Sequence, residues 1–146
     1  MSVSLKSRQL LIPWRVYLVP MKLIKPHEEV CRDYVLKLYH EVVRDKMLVK
    51  PLLVEDRYYI LLDGHHRYAV LKMLGARLAP VFLVDYDSPL IEVYSWRNDW
   101  NVTKEIVVNA GLSRSKKLPY KTSKHVVRDI VIPEVNIPLR RLMEDE

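Results

Sequence analysis

The chain has 146 residues, of which 49% are hydrophobic and 29% charged, with a formal net charge of +6 and one cysteine. This length suits one compact domain with a hydrophobic core and is short for two. The uncharged apolar runs are far shorter than the ~20 residues of a bilayer span, and a single cysteine excludes an intramolecular disulfide.

We therefore expect residues 1–146 to form one domain of a cytoplasmic protein with no membrane partner. The basic charge favours anionic partners, which include nucleotides, phosphorylated metabolites and nucleic acid, and charge alone does not separate these. Few glycines and many charged side chains are typical of heat-adapted proteins. Part of the basic excess forms a local cluster: Arg114, Lys116, Lys117, Lys121 and Lys124.

The N-terminal part of the chain predicts a strand and then a long helix. Val16 to Val19 is a short apolar run bounded by Pro13 and Pro20, which is typical of a strand. Pro26 suits a helix start, and we expect a helix from about His27 to Lys46. Cys31 is expected to be a small buried residue of this helix. The apolar side chains of the helix recur with helical spacing and predict one buried stripe: Val30, Tyr34, Val35, Leu38, Tyr39 and Val42.

The middle of the chain predicts strands on either side of a short helix. A hairpin is expected because two β-rich runs flank a charged tripeptide. A short helix follows and ends at Gly75, which suits a C-cap. The expected elements are strands at 51–54, 58–62, 80–84 and 91–96 and a helix at 67–74.

The C-terminal part predicts one more helix and an irregular end. Thr103 can cap a helix that runs to about Ala110 and ends at Gly111, and a basic loop is expected at 113–124. Prolines interrupt residues 132–139, so we expect an extended segment packed on the domain and then one short helical turn.

Side chains suited to ligand binding or catalysis are concentrated in the segment from Asp63 to Tyr68, with the sequence DGHHRY. It leads a strand through a tight turn into a helix, whose free N–H groups favour an anion, and Arg67 adds a forked cation. The equally supported alternative is an ordinary Asp-Gly turn with exposed polar side chains. A zinc site is disfavoured because adjacent histidines do not share a helix face and no set of cysteines exists.

This segment resembles the central motif of the ParB and sulfiredoxin-like superfamily, and its form is most similar to the free serine kinases, which phosphorylate L-serine with ATP or ADP. The resemblance implies an α/β fold with a small mixed sheet and flanking helices. It also implies that Asp63 orients Mg²⁺ or the transferring phosphoryl group. The nucleotide phosphates would bind at Gly64, His65, His66 and Arg67.

A second segment, at residues 25–29 with the sequence KPHEE, resembles the Pro-His-Glu segment of the same kinases. The resemblance implies that Glu28 accepts the proton of the serine hydroxyl and that His27 lies at the substrate. Glu29 is the alternative base, one position later. Without the resemblance, both acids would simply complement a helix N-terminus.

A third segment, at residues 118–125 with the sequence LPYKTSKH, resembles the kinases' Pro-x-Lys-Thr-x-Lys/Arg-His segment. Alone it is typical of a solvated basic loop. Trp96 falls where the family has an aromatic wall beside the amino acid, although core packing would also explain it. The resemblance implies phosphate or phosphoserine contacts from Lys121, Thr122, Ser123, Lys124 and His125.

We therefore predict a Mg²⁺-dependent kinase that converts free L-serine to O-phospho-L-serine, in the service of cysteine synthesis. Sulfiredoxin chemistry is excluded because His65 stands where that motif has its reactive cysteine. The alternative is a stand-alone ParB-like module that binds nucleotide or nucleic acid. Nucleic acid is the less expected partner, because one predicted helix after Trp96 is too little for a helix-turn-helix. The choice between ATP and ADP and the oligomeric state stay open.

Overall fold

The protein is built on a mixed β-sheet flanked by helices, as seen in a computed structural model that describes residues 9–12, 16–98, 101–113 and 116–144. A 3-10 turn, Met21–Leu23, follows the second strand. In chain order the elements are β1 (Gln9–Ile12), β2 (Val16–Pro20), β3 (Lys25–Pro26), α1 (Arg32–Asp45), β4 (Met47–Leu48), β5 (Leu52–Glu55), β6 (Ile60–Asp63), α2 (His65–Met73), β7 (Leu78–Val84), β8 (Ile91–Ser95), α3 (Lys104–Leu112), β9 (Ser123–Val127), β10 (Ile137–Pro138) and α4 (Leu139–Leu142).

Six strands form the main sheet in the order β1-β2-β7-β5-β6-β3. The β7–β5 and β6–β3 pairs are parallel and the other pairs are antiparallel, so the sheet is mixed. Two short antiparallel pairs, β8–β9 and β4–β10, lie outside it. The predicted α/β class, with a small mixed sheet and flanking helices, is confirmed.

Apolar side chains are buried on both faces of the sheet, since successive side chains of a strand point to opposite faces and each set joins an apolar cluster. Leu61 contributes to an apolar cluster with Val35 and Val42 of α1 and Val70 of α2. Its neighbours Ile60 and Leu62 contribute to a second cluster with side chains of α3 and β8. Strands such as β7 are therefore buried along their whole length.

Several predicted elements are confirmed to within two residues. The hairpin is the antiparallel pair β5–β6, and the helix expected at 67–74 is α2, which begins two residues earlier. Gly75 follows α2 with φ +75°, the left-handed conformation that favours glycine at a helix end. The C-terminal segment is extended and ends in the short helix α4.

The predicted start of the long helix at His27 was wrong. The helix α1 begins at Arg32, because the backbone before it forms bonds elsewhere. The N–H of Glu29 donates to the carbonyl of Leu118, and the N–H of Leu118 donates to the carbonyl of His27. These bonds hold the segment extended, in a parallel bridge between Glu28 and Leu118.

The predicted stripe on α1 is only partly correct. Val35 and Val42 are buried, but Val30 and Tyr34 are 37% and 53% exposed. Cys31 is half-buried at the N-cap, outside the helix, because the helix starts later than predicted.

Two further predictions fail near the C-terminal half. Gly111 does not end α3 but lies inside it, where an added Cβ would stand 2.6 Å from Ile60 Cδ1. The basic loop ends at 122, since Ser123 and Lys124 pair with β8 as the start of β9. Pro13 and Arg114, which the predictions also used, lie outside the described residues.

Within the described ranges, no helix combines the length and apolar character needed to cross a membrane.

Candidate active site

A cleft of about 460 Å³ opens where the end of β6 meets the start of α2. Residues from all three predicted segments line it, although the segments are separated by up to about a hundred positions in the chain. The predicted site residues in its walls are Glu28, Asp63, Gly64, His65, His66, Arg67, Trp96, Lys121 and Ser123.

The turn between β6 and α2 depends on Gly64. Its φ is +98°, in the left-handed region that glycine adopts without strain. An added Cβ would stand 2.8 Å from Arg67 Nη2 and 2.9 Å from Leu52 Cδ2. The absent side chain therefore lets the guanidinium fold back against the turn.

The N-terminus of α2 is suited to bind an anion. Gly64 is its N-cap and has no side chain to cap the first N–H groups, while Arg67 lies in its first turn. Arg67 Nη2 donates to the carbonyl of Pro51 at 3.3 Å, and its buried Nε has no hydrogen-bond partner within the described part of the chain. Burial lowers the pKa of the Arg67 guanidinium, which an anion in the cleft would counteract.

The two histidines of the turn hold the segment that bears Glu28. The backbone N–H of His27 donates to His65 Nε2 at 3.0 Å, and the N–H of Cys31 donates to His66 Nε2 at 3.1 Å. Both rings therefore accept at Nε2, which requires neutral imidazoles with the proton on Nδ1. Burial lowers the pKa of His65 well below its ordinary value and lowers that of His66 as well, in agreement with this state.

Glu28 presents its carboxylate to the cleft with 12% of the side chain exposed. Its Oε1 accepts from the N–H groups of Thr122 at 3.3 Å and Ser123 at 2.9 Å, and Ser123 Oγ lies 2.9 Å away. Burial raises the pKa of the Glu28 carboxyl above its ordinary value, and these hydrogen bonds oppose that rise only in part. Glu29 is exposed and does not line the cleft, so of the two predicted bases Glu28 is the one that reaches it.

The third segment contributes fewer side chains to the cleft than the prediction assigned to it. Lys121 and Ser123 line the cleft. Thr122 is buried, with its hydroxyl donating to the carbonyl of Pro119 at 2.6 Å. Lys124 lies over the Trp96 ring, 4.8 Å from its centroid, and His125 Nε2 lies 2.8 Å from the hydroxyl of Tyr86.

Trp96 follows directly after β8 and is half exposed at the cleft. It is therefore not a core residue, which was the alternative explanation of its position. Its backbone N–H donates to the carbonyl of Thr122, which continues the β8–β9 pairing by one bond. Lys121 Nζ lies 5.8 Å from the ring centroid. His27, in contrast, is fully buried and does not line the cleft.

One wall of the cleft was missed by the prediction. Tyr34, Lys37, Leu38 and Glu41 of α1 face the cleft together, since spacings of three and four residues place side chains on one helix face. The same spacing predicts Tyr34 and Leu38 as core residues, but Tyr34 is 53% exposed, and Leu38 both packs against the apolar core and lines the cleft. Tyr120 also lines the cleft, with its ring centroid 5.7 Å from that of His66.

The donor set around Asp63 fits Mg²⁺ only in combination with a phosphorylated ligand. Across the described residues, no group of three His, Cys, Asp or Glu side chains is placed to hold a metal ion. Mg²⁺ is usually held by one or two carboxylates together with substrate phosphates and water. Asp63, exposed at the cleft beside the open helix N-terminus, can supply such a carboxylate.

Comparison with known sequences relates the chain to L-serine kinases and a ParB-like protein. It is 33% identical over 97 residues to an ADP-dependent L-serine kinase of Thermococcus kodakarensis, covering 61% of this chain and 40% of the relative. It is 35% identical over 78 residues to a ParB-like protein of Sulfolobus acidocaldarius, covering 53% and 39%. It is 32% identical over 84 residues to an ATP-dependent L-serine kinase of Staphylothermus marinus, covering 54% and 33%. The chain thus spans 40% or less of these curated relatives, and no family model matches it.

Comparison with solved structures relates the fold over most of the chain. The protein superposes on a free serine kinase in complex with AMP with a TM-score of 0.77 and 18% sequence identity. The match covers 88% of this chain and 93% of that one. The fold is therefore that of the free serine kinase structure.

Proposed function

We propose that the chain transfers a terminal phosphoryl group from ATP or ADP to the hydroxyl of free L-serine and so forms O-phospho-L-serine. One observation supports this most directly. The Glu28 carboxylate and the open N-terminus of α2 line the same cleft, so a base and an anion site are brought together. The similarity to proteins named ADP- and ATP-dependent L-serine kinases agrees with it.

In this reaction Glu28 accepts the proton of the serine hydroxyl, and the oxygen of that hydroxyl forms a bond to phosphorus. The bond between that phosphorus and the bridging oxygen of the nucleotide breaks, and the shortened nucleotide leaves with the electron pair. The backbone N–H groups at the start of α2 and the Arg67 guanidinium stabilise the charge on the phosphoryl oxygens. His65 and His66 contribute backbone N–H groups and fix the position of the base.

The walls of the cleft suggest where each substrate lies. In-line transfer places acceptor and leaving group on opposite sides of the phosphoryl group. Glu28, Trp96 and Lys121 then surround L-serine, and the nucleoside extends the other way, over α1. There Lys37 can bind phosphate and Glu41 can accept hydrogen bonds from ribose hydroxyls.

Asp63 would hold Mg²⁺ together with phosphate oxygens of the nucleotide. When bound, the ion supplies positive charge that neutralises those phosphates and polarises the transferring group. Lys121 adds a cation of this chain at the acceptor side. A role in cysteine synthesis in the cytoplasm belongs to the same proposal.

The test is phosphorus NMR of the purified protein with Mg²⁺ and L-serine, supplied in parallel with ATP and with ADP. The expected result is a phosphoserine resonance with at least one donor, absent without serine and absent from the Glu28→Gln variant. Nucleotide consumption that is equal without serine would overturn the proposal in favour of a hydrolase. Absence of turnover with either donor would favour the ParB-like binding module.

A further inference from the structure

Ser123 lies between the proposed base and a buried histidine. Its Oγ is 2.9 Å from Glu28 Oε1 and 2.8 Å from His27 Nε2. The carboxylate and the imidazole themselves are 4.0 Å apart, too far for a direct hydrogen bond. The hydroxyl of Ser123 is therefore the link between them.

The positions of the hydrogens on His27 follow from its partners. Its Nδ1 lies 2.6 Å from the carbonyl oxygen of Leu61, which can only accept, so Nδ1 must donate. The ring is fully buried, and burial lowers the pKa of His27 to about 4, so it is neutral near pH 7. Nε2 then has a lone pair and can only accept.

This leaves one hydroxyl hydrogen between two acceptors. When Glu28 is ionised, Ser123 can donate to the carboxylate or to His27, and the other contact brings two lone pairs together. Protonation of Glu28 relieves the conflict. A proton on Oε1 supplies the missing hydrogen to Ser123 Oγ, and a proton on Oε2 removes the negative charge that holds the hydroxyl.

We propose that His27 is a positioning residue that makes Glu28 a stronger base by competing with it for the hydrogen of Ser123. The catalytic part of this inference rests on the function proposed above. As Glu28 takes the proton of the acceptor hydroxyl, the Ser123 hydroxyl turns to His27 Nε2. The abstracted proton stays on Glu28, and His27 remains neutral throughout.

The surroundings of His27 keep it an acceptor. The rings of His65 and His125 pack against it, with centroids 4.6 and 5.9 Å away, and the positive charge of Lys117 adds to the lowering of its pKa. The pKa values of both neighbouring histidines are lowered too, chiefly by burial. On the cleft side, Glu28 faces Tyr120.

The test is a titration of the Glu28 side-chain carboxyl by ¹³C NMR, with the resonance assigned from the Glu28→Gln variant. In the His27→Asn variant the shorter amide can still donate to Leu61 but lacks the acceptor at Nε2. Ser123 then donates to Glu28 alone, and the pKa of Glu28 should fall by about half a unit to one unit. In the Ser123→Ala background, the same His27 substitution should produce no such fall.

This double comparison separates tuning from a general structural effect. An unchanged pKa in His27→Asn, or an equal fall in both backgrounds, would overturn the proposal. The titration needs no turnover, so it stands or fails separately from the kinase assignment.

A second measurement covers the case in which His27→Asn does not fold. In the wild-type protein, the ¹⁵N resonance of His27 Nε2 should shift with the same midpoint as the Glu28 carbon, without the large change of imidazole protonation. Ser123→Ala should abolish that shift. If the Nε2 resonance of the wild-type protein did not shift as Glu28 titrates, the link through Ser123 would equally be refuted.

Discussion

The backbone N–H of His27 donates to the side-chain Nε2 of His65 across 3.0 Å, and this bond ties the start of the Glu28 segment to the start of α2. The bond from Cys31 to His66 fastens the other end of the same segment. The proposed anion site and the proposed base are thus parts of one connected unit. The two adjacent histidines serve this connection through their rings, and their N–H groups remain available to the cleft.

Replacing His65 should weaken both the fold and the reaction. In His65→Ala the buried N–H of His27 loses its acceptor, which costs about 1–3 kcal/mol, in addition to the cavity left by the ring. The free energy of unfolding in urea should fall accordingly, and kcat should fall with it. In His65→Gln the amide oxygen can reach the same N–H, so partial recovery of both quantities is expected. Equal stability of wild type and His65→Ala would contradict the importance of this bond.

Gly64→Ala should lower nucleotide affinity, because its Cβ would stand 2.8 Å from Arg67 Nη2 and displace the guanidinium. Gly75→Ala is the matched control, since Gly75 also has positive φ but no atom lies within 4 Å of an added Cβ. Both variants should lose about 1 kcal/mol of stability from backbone strain. Only Gly64→Ala should also weaken binding of ADP and ATP in calorimetry. Equal affinities in the two variants would show that Arg67 is not displaced or does not bind phosphate.

Substitution of neighbouring acids should identify the base. Glu28→Gln keeps the shape and the hydrogen bonds from Thr122 and Ser123 but cannot take a proton, so kcat should fall at least about 100-fold. Glu29→Gln alters an exposed neighbour outside the cleft wall and should retain wild-type kcat. Circular dichroism would establish that both variants are folded. The opposite ranking would move the base by one residue.

Asp63→Asn should abolish turnover without unfolding the protein, because Asp63 is exposed at the cleft and removing its charge weakens the proposed Mg²⁺ site. The expected signature is a loss of kcat that rising Mg²⁺ concentration partly restores. The free energy of unfolding, measured by thermal unfolding, should be within about 0.5 kcal/mol of the wild-type value, as is usual at exposed positions. Full activity at low Mg²⁺ would refute the assignment.

The pH dependence of activity should report the raised pKa of Glu28. The base must be ionised, so kcat/KM should fall as the pH drops through the pKa of Glu28, and burial moves this limb above the ordinary 4.5 of a glutamate. The contribution of Glu28 to the stability of the fold has the opposite pH dependence. A raised folded pKa makes this group favour the folded state below the unfolded value of 4.5, an advantage lost as the pH rises through the folded pKa. Glu28→Gln should remove this contribution from a comparison of urea unfolding at different pH values.

One part of the cleft, the turn from β6 into α2, could be predicted from local geometry alone. The turn at Gly64 and the start of α2 follow from a strand, a glycine and a helix in succession. The segment around Glu28 could not be predicted in this way. Its backbone is held by Leu118, His65 and His66, which are distant in sequence, so the helical pattern that includes Val30 and Tyr34 was overridden.

The roles within the third segment were also beyond the sequence. Five polar residues in succession predict an anion pocket, but they span a turn and the start of a strand. Lys121 lies in the turn before β9, with φ +55°, and lines the cleft together with Ser123, whereas Thr122 is buried with its hydroxyl donating to the carbonyl of Pro119. These positions depend on that turn and on the pairing of β9 with β8, a contact that the sequence did not predict.

The two walls of the cleft should separate the two substrates kinetically. Lys37→Ala removes a cation from the α1 wall and should raise KM for the nucleotide by about tenfold, with KM for L-serine unchanged. Trp96→Ala removes the aromatic ring proposed to contact L-serine, so it should raise KM for L-serine and leave KM for the nucleotide unchanged. Arg44→Ala is the control on α1, because Arg44 is exposed, pairs with Asp45 and lies outside the cleft. If Lys37→Ala instead raised KM for L-serine alone, the nucleoside would lie on the Trp96 side, and the proposed orientation of transfer would be reversed.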